Sequence, residues 1–165
     1  MIDSVTPLFL SPWTRRSGIT SSFGLKRHPA LEELSRDHHR ALVIAQHLKR
    51  AEAATVHTAR CAFLTYWADD GRDHFREEEE ILLPTCAGFM DIEQPIFAQI
   101  LLDHVRIRHQ ASAIAEIKDP PLRMLRELGR EIEVHVRREE RELFPLIEQS
   151  LPDAELRRLV ALLSR

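Results

Sequence analysis

The chain has 165 residues, a mass of 19.1 kDa and a formal net charge of −3, with 44% hydrophobic and 30% charged residues. That is the composition of one globular domain, not of a disordered or membrane-embedded chain. No apolar stretch approaches the ~20 residues of a membrane span, and Leu8-Phe9-Leu10, cut off by Pro12, is too short for a signal-peptide core.

In chain order, residues 1–28 read as an irregular segment, interrupted by Pro7, Pro12, Gly18 and Gly24. From Pro29 the apolar pattern is helical, with Leu31, Leu34, Ala41, Leu42, Ala45 and Leu48 at spacings of three and four. A second helix is expected from about Thr55, carrying Phe63, Trp67, Ile81 and Leu82 and bending or stopping near Pro84. Asp91 and Gln94 resemble a capping box opening a third helix, which carries Phe97, Ile100, Leu101, Ile107, Ala111 and Ile114. Asp119-Pro120 resembles an N-cap with proline at the first position of a fourth, carrying Leu125, Leu128, Ile132, Leu143 and Leu146. Ser150 and Asp153 bracket a short fifth helix with Leu156, Leu159, Val160 and Leu163. No segment reads as a strand. The expected fold is all-α: an antiparallel up-down four-helix bundle over 29–165 with a short C-terminal helix.

The nine histidines are the unusual entry in the composition, and an internal repeat organises four of them. His74-Phe-Arg-Glu-Glu78-Glu79-Glu-Ile-Leu82-Leu-Pro84 and His135-Val-Arg-Arg-Glu139-Glu140-Arg-Glu-Leu143-Phe-Pro145 share the pattern HxRxEExxLxP. Upstream of each lies an Asp-His pair within an apolar stripe, Asp37-His38 and Asp103-His104. Residues four apart share a helix face, so His74 with Glu78 and His135 with Glu139 each present an imidazole and a carboxylate in one direction. That direction is inward, because Leu128, Ile132, His135, Glu139 and Leu143 form one stripe, as do Leu31, Leu34, His38, Ala41 and Ala45, and Phe97, Leu101, His104, Ile107 and Ala111.

A carboxylate in an apolar stripe is costly unless it is paired or binds a metal. Two carboxylates facing four neutral imidazoles are reconciled by a pair of cations. The donor set of nitrogen and oxygen without thiolate suits iron or manganese and disfavours a structural cysteine–zinc site. Six ligands exceed one tetrahedral ion, and two octahedral ions would keep open positions for solvent or a small molecule. The Glu-x-x-His arrangement of ferritin-like sites is absent, since no histidine follows a glutamate at that offset.

These Asp-His pairs and the doubled HxxxEExxLxP segment resemble the hemerythrin-like, or HHE cation-binding, domain over about residues 29–150. The resemblance implies a four-helix bundle around a non-haem di-iron centre. His38, His74, Glu78, His104, His135 and Glu139 would be its ligands, with both glutamates bridging. It also implies a cofactor of two iron ions, for which manganese or zinc could substitute, and a small diatomic or peroxide ligand. Binding or sensing of O2, NO or oxidants is the function implied first. An enzyme of peroxidase-like or NO-reducing type, or iron storage and delivery, are alternatives. Oxygen-carrying members have a fifth histidine four residues after the third-helix ligand; here that residue is Arg108, which argues against reversible oxygen carriage.

Several residues stay open on sequence grounds. Glu79 or Glu140 could replace Glu78 or Glu139, and His39 could replace His38. His28 or His57 could add a ligand, while His47 and His109 read as surface residues. Asp70 and Glu131 either accept hydrogen bonds from the ligand imidazoles or are solvated. The rest of Glu77–Glu80 reads as solvated face, and Tyr66 and Trp67 as core or rim. Cys61 and Cys86 form no metal or disulfide pattern, so buried, reduced thiols and a cytoplasmic setting are expected. The weak negative charge, without a Lys/Arg-rich tract, disfavours nucleic acid, and no membrane partner is expected. Segment 152–164 either packs on the other helices or forms a homodimer contact.

Overall fold

The structure, a computed structural model, describes residues 27–163; the irregular reading of residues 1–26 lies outside them, as do residues 164 and 165. All regular structure among the described residues is helical, and no helix there is long and apolar enough to cross a membrane. Helix α1 spans Pro29–Lys49, opened by His28, whose Nδ1 accepts a hydrogen bond from the Ala30 N–H at 3.1 Å. Helix α2 is one continuous run over 56–87, α3 spans Pro95–Glu116, α4 runs over 122–150, and α5 spans Asp153–Leu163.

Two apolar clusters sit above and below a polar layer. One gathers Leu31, Leu34, Leu82, Phe97, Ile100, Leu143 and Ile147, with α5 laid against α1 through Leu156, Leu159 and Leu163. The other gathers Ala41, Leu48, Phe63, Phe75, Ile107, Ile114, Leu125 and Ile132. Helix α1 passes from the first cluster to the second, α2 returns, α3 passes again and α4 returns. Each of the four therefore crosses the intervening layer once. Arginines tie the ends: Arg126 donates to the Ala51 carbonyl (2.7 Å) and Arg60 to those of Ile114 and Ala115 (3.0 and 2.9 Å). Gly129 marks the closest approach of α4 to α1, where a Cβ would lie 2.7 Å from the Ala45 carbonyl oxygen.

Some local expectations need correction. Helix α2 passes through Pro84 and stops three residues beyond it. A π turn over Glu78–Leu82, in which the Leu83 N–H reaches back to the Glu78 carbonyl, precedes the proline, and the run continues to Ala87. Glu139–Leu143 repeats this turn before Pro145, with the Phe144 N–H on the Glu139 carbonyl. A widened register ahead of the ring relieves the clash that proline causes in a regular helix. Asp91 does not cap α3: its side chain accepts from the Glu93 N–H in the preceding loop, and the helix starts at Pro95. Likewise α4 starts at Leu122 after Pro121, not at Asp119-Pro120. Leu101 is 44% exposed because the buried stripe of α3 runs through Ile100, one residue back around the helix. Cys86 is buried and its thiol pushed up to about 12 by burial, whereas Cys61 is exposed.

Candidate metal centre

The polar layer is built from one short stretch of each of the four longer helices. His38 from α1, His74 and Glu78 from α2, His104 from α3, and His135 and Glu139 from α4 are all buried, each at 2% exposure or less. The i, i+4 spacing brings His74 Nε2 to 3.4 Å from Glu78 Oε1, and His135 Nε2 to 3.2 Å from Glu139 Oε2. His38 Nε2 lies 3.0 Å from Glu139 Oε2 and 3.8 Å from Glu78 Oε1, and His104 Nε2 lies 3.3 Å from Glu78 Oε2 and 3.9 Å from Glu139 Oε1.

The six residues form two overlapping groups whose donor atoms lie within 4.8 Å of one another: His38, His74, Glu78 and Glu139, and Glu78, His104, His135 and Glu139. Both carboxylates belong to both groups. Buried polar atoms are normally hydrogen-bonded. Here both carboxylate oxygens of Glu78 and of Glu139, and the Nε2 atoms of all four histidines, are buried without a hydrogen-bond partner. Convergent, dry and unsatisfied nitrogen and oxygen donors fit a metal ion, and these buried groups can hold one.

The electrostatics point the same way. Burial alone would raise the Glu78 carboxyl, but the imidazoles of His74, His104 and His38 hold it well below the usual range. Burial and the adjacent Glu78 charge push Glu139 up instead. Burial would lower His38, yet Glu139, Glu140 and Glu78 hold it well above the ordinary histidine value, while burial and His104 pull His135 well below it. The members of each pair are driven in opposite directions. Bound positive charge there would satisfy both carboxylates as anions and the imidazoles as neutral donors.

Around this set lie the residues that fix imidazole orientation. His38 Nδ1 is 2.7 Å from Glu140 Oε1, and His104 Nδ1 is 2.8 Å from Glu79 Oε1. His74 Nδ1 lies 3.5 Å from Asp37 and His135 Nδ1 3.9 Å from Asp103. Glu140 also accepts from Ser35 and Arg27; although burial opposes it, His38, Ser35 and Arg27 bring its carboxyl down to about 2. Glu79 also takes Arg108 at 3.0 Å, and the Arg108 guanidinium lies 5.5 Å from the Phe75 ring centroid. Arg108 is thereby directed at Glu79 and the ring.

The structure brings the six sequence-predicted residues together in one buried layer and gives the outer ones their places. Glu79 and Glu140 hold the backs of imidazoles, so Glu78 and Glu139 are the inward members of each pair. Glu79 is consequently not plain solvated face. His39, His47, His57 and His109 are exposed, and His28 caps α1. Asp70 pairs with Arg40 at 3.2 Å, and Glu131 keeps a buried oxygen without a hydrogen-bond partner, so no contact ties either to an imidazole. Asp37 and Asp103 are the carboxylates nearest the Nδ1 atoms of His74 and His135, at 3.5 and 3.9 Å, and neither imidazole nitrogen has a hydrogen-bond partner.

Tyr66 and Trp67, read from the sequence as core or rim, are half-buried. With Trp67, Phe75 and Ile132, Tyr66 lines a small enclosed cavity against His74 and His135, with room for about one water-sized molecule. Burial and the charges of Asp37, Asp70 and Glu78 raise its phenol above the ordinary tyrosine value, so it remains a proton donor. A π turn over Trp67–Gly71 follows it, and both rings pack on Gly71, where a Cβ would come 2.8 Å from the Trp67 ring and 3.0 Å from that of Tyr66. No family model matches the chain, and no curated protein or solved structure does.

Proposed function

We propose that the chain is a hemerythrin-like protein: an up-down four-helix bundle, with α5 packed alongside, that holds two iron ions and binds or senses a small oxidant such as O2, NO or a peroxide. The observation that carries this reading is the pair of buried donor groups sharing Glu78 and Glu139, with their donor atoms unsatisfied by hydrogen bonds. Four imidazoles and two carboxylates without thiolate suit iron or manganese. When bound, such ions supply redox chemistry and open coordination positions. The chain's own residues do the rest. Glu140 and Glu79 orient the imidazoles of His38 and His104, and the walls formed by Phe75, Ile107 and Ile132 restrict access to small, weakly polar molecules. Arg108 offers no imidazole where oxygen carriers have one, which favours sensing or scavenging over reversible carriage.

A second reading, turnover of peroxide or NO by an enzyme, gains from Tyr66, which places a protonated phenol beside the same cavity. Elemental analysis and optical spectra of anaerobically reconstituted protein, before and after air, test both. Two irons per chain with a charge-transfer band reversed on deoxygenation support binding. Two irons with rapid irreversible oxidation point to sensing or turnover, and turnover then requires multiple equivalents of peroxide or NO to be consumed and the rate to fall in Tyr66→Phe. Absence of iron after reconstitution overturns both.

A further inference from the structure

His38 and His104, one imidazole from each donor group, are held from behind in the same way. A carboxylate can only accept, so Nδ1 of each ring carries the proton that reaches Glu140 or Glu79. In the neutral ring that a metal needs, Nε2 then presents its lone pair to the layer. One oxygen of each glutamate takes the imidazole and the other takes an arginine: Arg27 lies 2.6 Å from Glu140 Oε2, and Arg108 3.0 Å from Glu79 Oε2. Each guanidinium also lies over an aromatic ring, Arg27 at 5.3 Å from the Phe144 centroid and Arg108 at 5.5 Å from that of Phe75. Those two rings stack on the same imidazoles, Phe144 on His38 at 5.2 Å and Phe75 on His104 at 3.9 Å, with interplanar angles of 15° and 13°. Arginine, glutamate, phenylalanine and histidine thus close the same circuit of contacts twice.

The sequence repeat does not announce this match. Arg108 stands four residues after His104, but the position four after His38 is Leu42. The first half takes its guanidinium from Arg27 instead, ahead of α1. Two unrelated places in the chain therefore deliver a guanidinium to the same carboxylate and ring. The other two imidazoles lack the device: Nδ1 of His74 and of His135 has no hydrogen-bond partner, and Asp37 and Asp103 lie 3.5 and 3.9 Å away. Each donor group so combines one clamped imidazole with one that is not clamped. Glu79 and Glu140 are half-buried, so without its arginine each can turn to water and leave its imidazole.

We propose that Arg27 and Arg108 are matched positioning residues of the metal centre, each fixing one donor group's imidazole through a glutamate and a stacked ring. The inference rests on the reading that the polar layer binds metal, and adds that His38 and His104 are its preset ligands. The two clamps differ in strength. Glu140 also accepts from Ser35 at 2.6 Å, and among the described residues Glu79 has no such second donor beside its arginine. His104 therefore depends on Arg108 more than His38 depends on Arg27.

NMR of the full chain stripped of metal, with isotope-labelled histidine, reads the two Nδ1 protons separately, and anaerobic competition with a chelator reads ferrous iron affinity. Arg108→Gln should speed water exchange of the His104 Nδ1 proton about tenfold, the worth of one hydrogen bond, and leave that of His38 unchanged. Arg27→Gln should do the converse by about threefold, because Ser35 still holds Glu140. Iron affinity should fall about tenfold in Arg108→Gln and less in Arg27→Gln. Arg108→Lys, which can still bond one carboxylate oxygen, should recover most of both losses. Circular dichroism establishes that each variant is folded. Equal acceleration of both protons in either variant would mark a general loosening of the helices and overturn the proposal, as would unchanged exchange in folded Arg108→Gln. A chain that takes up no iron yet shows the selective exchange overturns the metal reading and leaves the clamps standing; iron uptake without that selectivity does the reverse.

Discussion

On one side of the polar layer Asp37 backs His74 at 3.5 Å, and Arg40 ties Asp37 to Asp70; on the other Asp103 backs His135 at 3.9 Å, and Arg138 and Gln99 take its oxygens. The inner chemistry of the two halves is the same and the rim chemistry is opposite in sign. Inner residues are held to one solution because a buried, unsatisfied donor costs about 1–3 kcal/mol or more unless a cation or hydrogen bond answers it. Rim residues need only stay solvated, so Asp69 in one half and Arg130 in the other are equally compatible with folding.

Experiments can break that equivalence at successive depths. The largest effect is expected at the shared carboxylates. Glu78→Ala and Glu139→Ala should each bring bound metal to background by elemental analysis, since each removes a ligand from both groups. Each should also remove the melting-temperature gain on metal addition, which at a hundredfold excess over Kd is worth about 2.7 kcal/mol. His74→Ala should lower metal content and thermal stability together. Retention of full metal content by any of these would show that the ligand assignment is wrong.

Next comes Gly129→Ala. Its new Cβ would lie 2.7 Å from the Ala45 carbonyl and 2.9 Å from Leu48 Cβ, so α1 and α4 must separate. A loss of about 3 kcal/mol is expected in denaturant unfolding. The equivalent residue of the first half, Ala68, is exposed, and Ala68→Ser there should cost less than about 0.5 kcal/mol. Equal effects would deny the asymmetry of the helix contacts.

The outer carboxylates should cost less. Asp37→Asn and Asp103→Asn are each expected to weaken metal binding by about tenfold in competition with a chelator. Asp37→Asn should have the larger effect, because Asp37 lies nearer its imidazole. The smallest effect belongs to the surface. Lys49 bonds Glu133 across α1 and α4, Arg137 bonds the same carboxylate, and these partners hold the Glu133 carboxyl below its ordinary value. Because the depressed value lies in the folded state, the stabilisation is present above the ordinary carboxylate range and is lost as pH falls through Glu133's own value. The pair is partly exposed and screened, so Lys49→Ala should cost about 0.5 kcal/mol near neutral pH and nothing measurable in acid.

The ligand positions were legible because a helix converts spacing into direction. His74 and Glu78 share a face wherever the helix is placed, and polar residues inside a leucine stripe announce that the face is buried. Less legible were features that depend on a second element. Glu79 and Glu140 read as solvated neighbours or substitute ligands until α3 and α1 supply His104 and His38. Pro84 reads as a bend or a stop until the π turn before it is seen. Leu101 reads as core because two adjacent stripes on α3 fit the apolar pattern, and only packing selects the one through Ile100. Tyr66 reads as core or rim, and only the packing of the helices sets it beside His74 and His135 at a cavity.

The sequence by itself determined the helical character, the doubled motif and the six inward residues, because helix periodicity and the cost of burying charge act within one segment. Tertiary structure alone decided which carboxylate faces the layer and which backs an imidazole. It also decided that each glutamate is shared between two donor groups, and that Arg27 and Arg108 reach equivalent carboxylates from unrelated places in the chain. Those outcomes depend on distances between helices, which the order of residues along one helix does not contain.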